Sequence, residues 1–130
     1  MPLNKEYYLD TKVSLSERIA ALIESYDYVS FAELNRKIPD TKGEYAFVSG
    51  DNPHLIWWPS ISEAVLPAIQ ELRVAGRIHP HVSEVLVYFL DGFVPNIPIA
   101  KRNVQYKTDR WLPVVFRPGK ACTSKHCPGK

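Results

Sequence analysis

The sequence has no long hydrophobic run and few cysteines. No apolar stretch approaches the ~18 residues that a membrane-spanning helix needs. The first residues contain no apolar segment of the kind found in secretory signals, and two Cys are too few for a disulfide framework. We therefore expect a cytoplasmic protein that has no membrane partner.

Sequence patterns of common enzymes are also lacking. The six Gly are scattered, so no glycine-rich phosphate-binding loop is present. Neither HExxH nor GxSxG occurs. The four His follow no metal-ligand or triad pattern. We predict a non-enzymatic protein with no catalytic residues and no cofactor.

Cysteine and histidine come together only near the C-terminus, at Cys122, His126 and Cys127. A structural zinc site needs four tetrahedral ligands. Here His126 abuts Cys127, and the other ligands would have to come from His79 and His81, far away in the sequence. We therefore predict no metal site, with free thiols favoured over a disulfide.

Positive charge is concentrated in the last thirty residues. Residues 1–100 hold eight Lys and Arg against thirteen Asp and Glu, whereas residues 101–130 hold eight against one. Basic and aromatic residues interleave there, which suits phosphate contacts and base stacking. The alternative is that Tyr106, Trp111 and Phe116 anchor the segment onto the domain. The cations expected to contact nucleic acid are Lys101, Arg102, Lys107 and Arg110.

Three capping boxes indicate three helices. In this motif a Ser side chain accepts a hydrogen bond from the backbone amide of the Glu three residues later. The Glu side chain in turn accepts a hydrogen bond from the backbone amide of the Ser. The motif begins at Ser14, Ser30 and Ser60, and helical periodicity follows each. Pro67 lies inside the third segment, where we expect a kink or a restarted helix. The predicted helices are Leu15–Tyr26, Phe31–Ile38 and Ile61–Ala75.

Two aromatic-rich runs, Glu44–Val48 and His54–Trp58, flank a turn and predict a β-hairpin. Trp57 and Trp58 should face opposite sides of their strand. One can enter the core, and the other needs a cover, either within the monomer or from a second molecule. The candidate partner-binding residues are Tyr45, Phe47, Trp57 and Trp58.

The sequence of residues 77–90 predicts a two-stranded β-ribbon, which we call the wing. Its strands would be Arg77–His79 and the apolar run Glu84–Leu90, joined by a tip that has no Lys or Arg. Farther along, Asn103–Tyr106 and Val114–Phe116 predict short edge strands. Residues 119–130 predict a disordered tail.

This order of elements resembles the winged helix-turn-helix superfamily over about residues 14–92. The segments that carry the resemblance are Ser14–Tyr26, Ser30–Ile38, Ser60–Gly76 and Arg77–Leu90. It implies an α+β fold with three helices and a two-stranded wing, here with an inserted hairpin at about 44–58. We expect a domain over residues 1–96, an extended basic and aromatic arm over 97–118, and a tail over 119–130. Whether residues 93–118 pack on the domain stays open.

The resemblance implies binding of double-stranded DNA, with the third helix in the major groove. Gln70, Arg73 and Arg77 would add contacts to those of the basic tail. The third segment also carries Glu63 and Glu71, which does not suit a helix that enters a groove. Our first hypothesis is a non-enzymatic DNA-binding protein, such as a small transcriptional regulator. The alternative is a protein-interaction module or homodimeric scaffold that uses the acidic third helix and the aromatic hairpin.

Overall fold

The computed structural model describes residues 7–50, 52–100 and 105–120, with only the backbone of Tyr7 described. Over these residues the protein has an α+β fold with four α-helices and two three-stranded sheets. The helices are α1 (Leu15–Tyr26), α2 (Phe31–Lys37), α3 (Val65–Val74) and α4 (Val85–Asp91). The strands are β1 (Val29–Ser30), β2 (Lys42–Ser49), β3 (Asn52–Ile61), β4 (Ile78–Val82), β5 (Arg110–Trp111) and β6 (Val114–Pro118). Short 3-10 helices span Tyr7–Leu9 and Pro39–Thr41.

The first two predicted helices are confirmed, together with their caps. Ser14 accepts from the Glu17 amide at 3.3 Å, and Ser30 accepts from the Glu33 amide at 3.0 Å. Each cap satisfies a backbone donor that the first helical turn cannot. Ile19, Leu22 and Ile23 on the apolar face of α1 are fully buried.

The predicted start of the third helix is wrong. Ser60 and Ile61 belong to β3, and α3 begins at Val65 after Ala64, with no side-chain cap. The Ser60 carbonyl instead accepts from the Asn35 carboxamide at 3.2 Å. Pro67 therefore falls in the first helical turn, where its missing N–H would have no acceptor within the helix. The conflict expected at Pro67 is removed by this later start.

The predicted hairpin is confirmed and is longer than expected. β2 and β3 pair antiparallel with several irregularities in register. β5 adds to the far edge of β3 in parallel, with Leu55 opposite Arg110 and Ile56 opposite Trp111. These three strands form one of the two sheets.

The second sheet has the order β1–β6–β4, and both strand pairs are antiparallel. The prediction of a strand at Glu84–Leu90 is wrong, because this segment forms α4. The predicted wing of residues 77–90 is therefore wrong as well. The partner of β4 is β6, more than thirty residues later, with Pro80 opposite Phe116.

The segment after residue 97 contributes to the core. β6 is the central strand of its sheet rather than an edge strand, because β1 and β4 pair with its two sides. Trp111 and Phe116 are buried, so these two anchor the segment to the domain. Asn103 and Val104 of the other predicted edge strand lie outside the described residues, and Gln105 and Tyr106 are not in a strand. Most of the predicted disordered tail, residues 121–130, also lies outside the described residues.

An aromatic cluster fills the space between the two sheets and the helices. Phe31 lies between Phe47, Trp58 and Phe116, with ring centroids 5.3 to 6.3 Å apart. The Tyr88 ring is tilted against the Trp58 ring at a centroid distance of 5.3 Å and meets the Trp111 ring edge-on at 5.0 Å. Such pairs add about 0.5–1.5 kcal/mol each to the burial of their area. None of the described helices is long and apolar enough to cross a membrane.

Candidate partner-binding surface

Helix α4 is a two-turn helix with clear ends. It follows Glu84, whose carbonyl accepts from the Val87 amide at 3.2 Å. It ends at Gly92, whose φ of +94° is the left-handed conformation that glycine adopts without cost. The Gly92 amide donates to the Tyr88 carbonyl at 3.0 Å. Asp91 is the one charged residue in the helix.

The inner side of α4 is held by Tyr88, which is fully buried. The Tyr88 hydroxyl donates to the Val114 carbonyl at 2.6 Å and accepts from the Phe31 amide at 3.1 Å. Burial raises the pKa of this phenol well above its usual value, so it stays a protonated donor. Tyr88 thereby ties α4 to both α2 and β6.

The outer side of α4 is apolar and exposed. Leu86, Phe89 and Leu90 stand at i, i+3 and i+4, which places them on one side of the helix. Phe93 follows directly after the glycine cap. Their exposed fractions are 60%, 64%, 77% and 52%. We call these four residues the α4 face.

A cleft of about 500 Å³ opens beside the C-terminal end of α4. Its walls come from α2, β2 and β3 together with Asp91, Gly92 and Phe93. Trp58 and Phe93 give it apolar surface, and their rings pack at 5.3 Å. Arg36 and Lys42 add two cations. Phe93 belongs to both the α4 face and the cleft.

Three of the four predicted partner-binding aromatics are inside the fold. Phe47, Trp57 and Trp58 are buried, and Tyr45 alone is exposed. Trp57 stacks on Phe47 at 5.1 Å. Both Trp side chains are therefore covered within the chain, one of the two alternatives that the sequence left open. The hairpin offers no aromatic patch made of these four residues.

Two of the cations predicted for nucleic acid, Arg77 and Arg73, contact other side chains within the chain. Arg77 pairs with Glu17 at 2.6 Å and Glu24 at 3.2 Å of α1, and these bonds raise its pKa, with the bond to Glu17 the larger cause. Arg73 lies 5.5 Å from the Trp57 ring, and burial lowers its pKa.

The other predicted nucleic-acid residues are Gln70, Lys101, Arg102, Lys107 and Arg110. Arg110 lies 5.6 Å from the Tyr106 ring. Gln70 and Lys107 are exposed, while Lys101 and Arg102 lie outside the described residues. The exposed side of α3 carries Gln70 beside neutral, acidic and apolar residues: Pro67, Glu71 and Val74.

Metal ligands do not gather in the described part of the chain, where no group of three or more His, Cys, Asp or Glu could hold an ion. Cys122, His126 and Cys127 lie outside it. No family model matches the chain, and no match was found among curated proteins or solved structures.

The α4 face was not predicted from the sequence. The signal that could have revealed it is the i, i+3, i+4 spacing of Leu86, Phe89 and Leu90, followed by the Asp-Gly pair that ends a helix. The β-branched and aromatic content of the segment favoured a strand instead.

Proposed function

We propose that this protein is a non-enzymatic interaction module that binds another protein through the α4 face. The observation that carries the proposal is the exposure of four large apolar side chains on and directly after one short helix. Their exposed fractions run from 52% to 77%. Contiguous exposed apolar patches on soluble domains mark interaction sites.

The energetics favour a buried state for this surface. Burying one Leu or Phe side chain stabilises by about 1.5–3 kcal/mol. Residues at i, i+3 and i+4 on a short helix are the anchors that a hydrophobic groove accepts. Glu84 and Arg36 lie exposed near the two ends of α4 and supply part of a polar rim.

The experiment compares two triple variants of the full chain as baits. One is Leu86→Ser, Phe89→Ser and Leu90→Ser; the other is Tyr45→Ser, Val74→Ser and Ile99→Ser, at exposed apolar positions outside α4. If the α4 face binds the partner, the first variant loses proteins that the wild type and the control both retain. Because hot-spot residues contribute about 2 kcal/mol or more each, binding should weaken more than about 30-fold.

Circular dichroism checks that both triple variants remain folded, since exposed substitutions usually change stability by about 0.5 kcal/mol or less. Equal retention of every captured protein by the α4 variant and the wild type would contradict the proposal.

DNA binding is a second candidate, supported by the order of the elements. The strand before α2 pairs with the last strand, which pairs in turn with the strand after α3. This arrangement of α1, β1, α2, α3, β4 and β6 resembles a winged helix whose wing strands are β4 and β6. The hairpin and residues 83–113 would then be insertions. The basic residues after position 100 would supply the phosphate contacts.

The test is fluorescence anisotropy of the full chain with a mixed-sequence duplex at about 50 and 200 mM salt. If these cations bind the duplex, a log–log plot of the binding constant against salt concentration should have a slope of about −0.9 per phosphate neutralised. The variant Lys101→Glu, Arg102→Glu and Lys107→Glu should bind more weakly than the wild type. Binding that is indifferent to salt and to this variant would reject the second candidate.

A further inference from the structure

We propose that the cleft beside α4 receives one apolar side chain of an acidic peptide segment belonging to the partner protein. This inference rests on the proposed interaction function and names the chemistry of the partner. It follows from the size of the cleft, its aromatic lining and its charges.

The cleft has the dimensions of a binding pocket. Its volume of about 500 Å³ falls within the roughly 300–1,000 Å³ that ligand sites usually occupy. Trp58 and Phe93 provide aromatic surface. A Leu or Phe side chain fits such a space with room for part of its own backbone. An apolar anchor in a pocket is the usual centre of an interface.

The charges around the cleft favour an acidic partner. Arg36 and Lys42 line it, and both side chains reach solvent. The Arg36 guanidinium donates to the Asp91 carbonyl at 3.1 Å, which keeps it at the rim. Among the described residues, Asp91 is the one acidic residue that lines the cleft, and its carboxylate accepts a hydrogen bond from the Ser30 hydroxyl. A carboxylate of the partner can therefore approach two cations.

Asn35 and Trp58 serve as reporters of the cleft. Both residues line it, and each is more than nine-tenths buried. The Asn35 Oδ1 and Trp58 Nε1 atoms themselves are closed to solvent. A ligand in the cleft would contact other atoms of these two side chains and so change their NMR signals.

The test uses fluorescein-labelled synthetic peptides of twelve residues and the full chain. One set carries a single Leu or Phe in a background of Glu and Ser. Matched sets replace Glu by Lys, or replace the apolar residue by Ser. Anisotropy gives the affinity, and nitrogen-15 NMR follows the Trp58 indole and Asn35 carboxamide signals. We expect the acidic apolar peptides to bind at least about tenfold tighter than both matched sets and to shift both signals.

The variant Lys42→Glu with Arg36→Glu should weaken this binding at least about tenfold. The control Lys12→Glu with Lys107→Glu makes the same change in net charge at exposed positions outside the cleft. Equal weakening by the two variants, or no preference for acidic apolar peptides, would overturn the inference.

The triple α4 variant separates this inference from the proposed function. Peptide binding that depends on Leu86, Phe89 and Leu90 but not on Arg36 and Lys42 would overturn the cleft assignment and leave the α4 face as the interface. If the triple α4 variant captured the same partner proteins as the wild type, the proposed function would instead be contradicted, whatever the result with the peptides.

Discussion

A chain that ends at Ile97 is expected to lose its cooperative unfolding transition. The truncation removes β5 and β6, and with β6 the shared partner of β1 and β4. It also removes Trp111 and Phe116, which are buried among the aromatic core residues. Losing a single buried aromatic costs about 3–5 kcal/mol, and whole domains are stable by only about 5–15 kcal/mol.

The point variant Trp111→Ala measures the same effect in a chain that still folds. Trp111 is buried, and its indole nitrogen donates to the Trp57 carbonyl at 3.1 Å. Its removal should lower the free energy of unfolding in urea by about 3–5 kcal/mol. The exposed control Tyr45→Ala should lower it by less than about 1 kcal/mol. A truncated chain that melts near the full-length temperature would show that residues 98–130 are a separate arm.

The substitution Tyr88→Phe is expected to destabilise the fold by about 2–6 kcal/mol, although it removes only one oxygen. The hydroxyl bridges the Phe31 amide and the Val114 carbonyl. Leaving a buried donor or acceptor unpaired costs about 1–3 kcal/mol for each group. Urea denaturation gives the change, and α4 should become more open to hydrogen exchange because Tyr88 is its one buried residue.

The matched control is Tyr45→Phe, which removes the same atom from an exposed ring. It should change the free energy of unfolding by no more than about 0.5 kcal/mol. If Tyr88→Phe were as mild as this control, the bridge between α2 and β6 would not be what holds α4 in place.

The parts of the fold that local chemistry decides could be predicted from the sequence. Ser14 and Ser30 cap α1 and α2 through contacts only three residues long. The hairpin follows from two β-rich runs and the turn between them. Ser60 shows the limit of this reasoning, because β3 extends to Ile61 and the Ser60 carbonyl accepts from Asn35 of α2.

The errors come from contacts between distant residues. The run Glu84–Leu90 has the composition of a strand, but the strand that pairs with β4 is β6, more than thirty residues later in the chain. Tyr88 then fixes the segment as a helix through bonds to residues 57 and 26 positions away. Composition alone cannot reveal which of two apolar runs will pair with β4.

Several predicted site residues are engaged within the fold for the same reason. Arg77 is paired with Glu17 and Glu24, which lie 60 and 53 residues earlier in the chain. Trp57 and Trp58 are covered by aromatic residues from several elements. A sequence shows that a cation or an aromatic is present, but its availability depends on which neighbours the fold brings to it.

The most direct test of the central claim places the photo-crosslinking residue p-benzoylphenylalanine at position 90 or at position 74 of the full chain. Val74 is the matched control for Leu90, because their exposed fractions are 78% and 77%. If the α4 face binds a partner protein, irradiation in cells gives a discrete higher-mass adduct from position 90 and none of that mass from position 74. The same adducts from both positions, or crosslinks from position 90 only within the chain itself, would contradict the account.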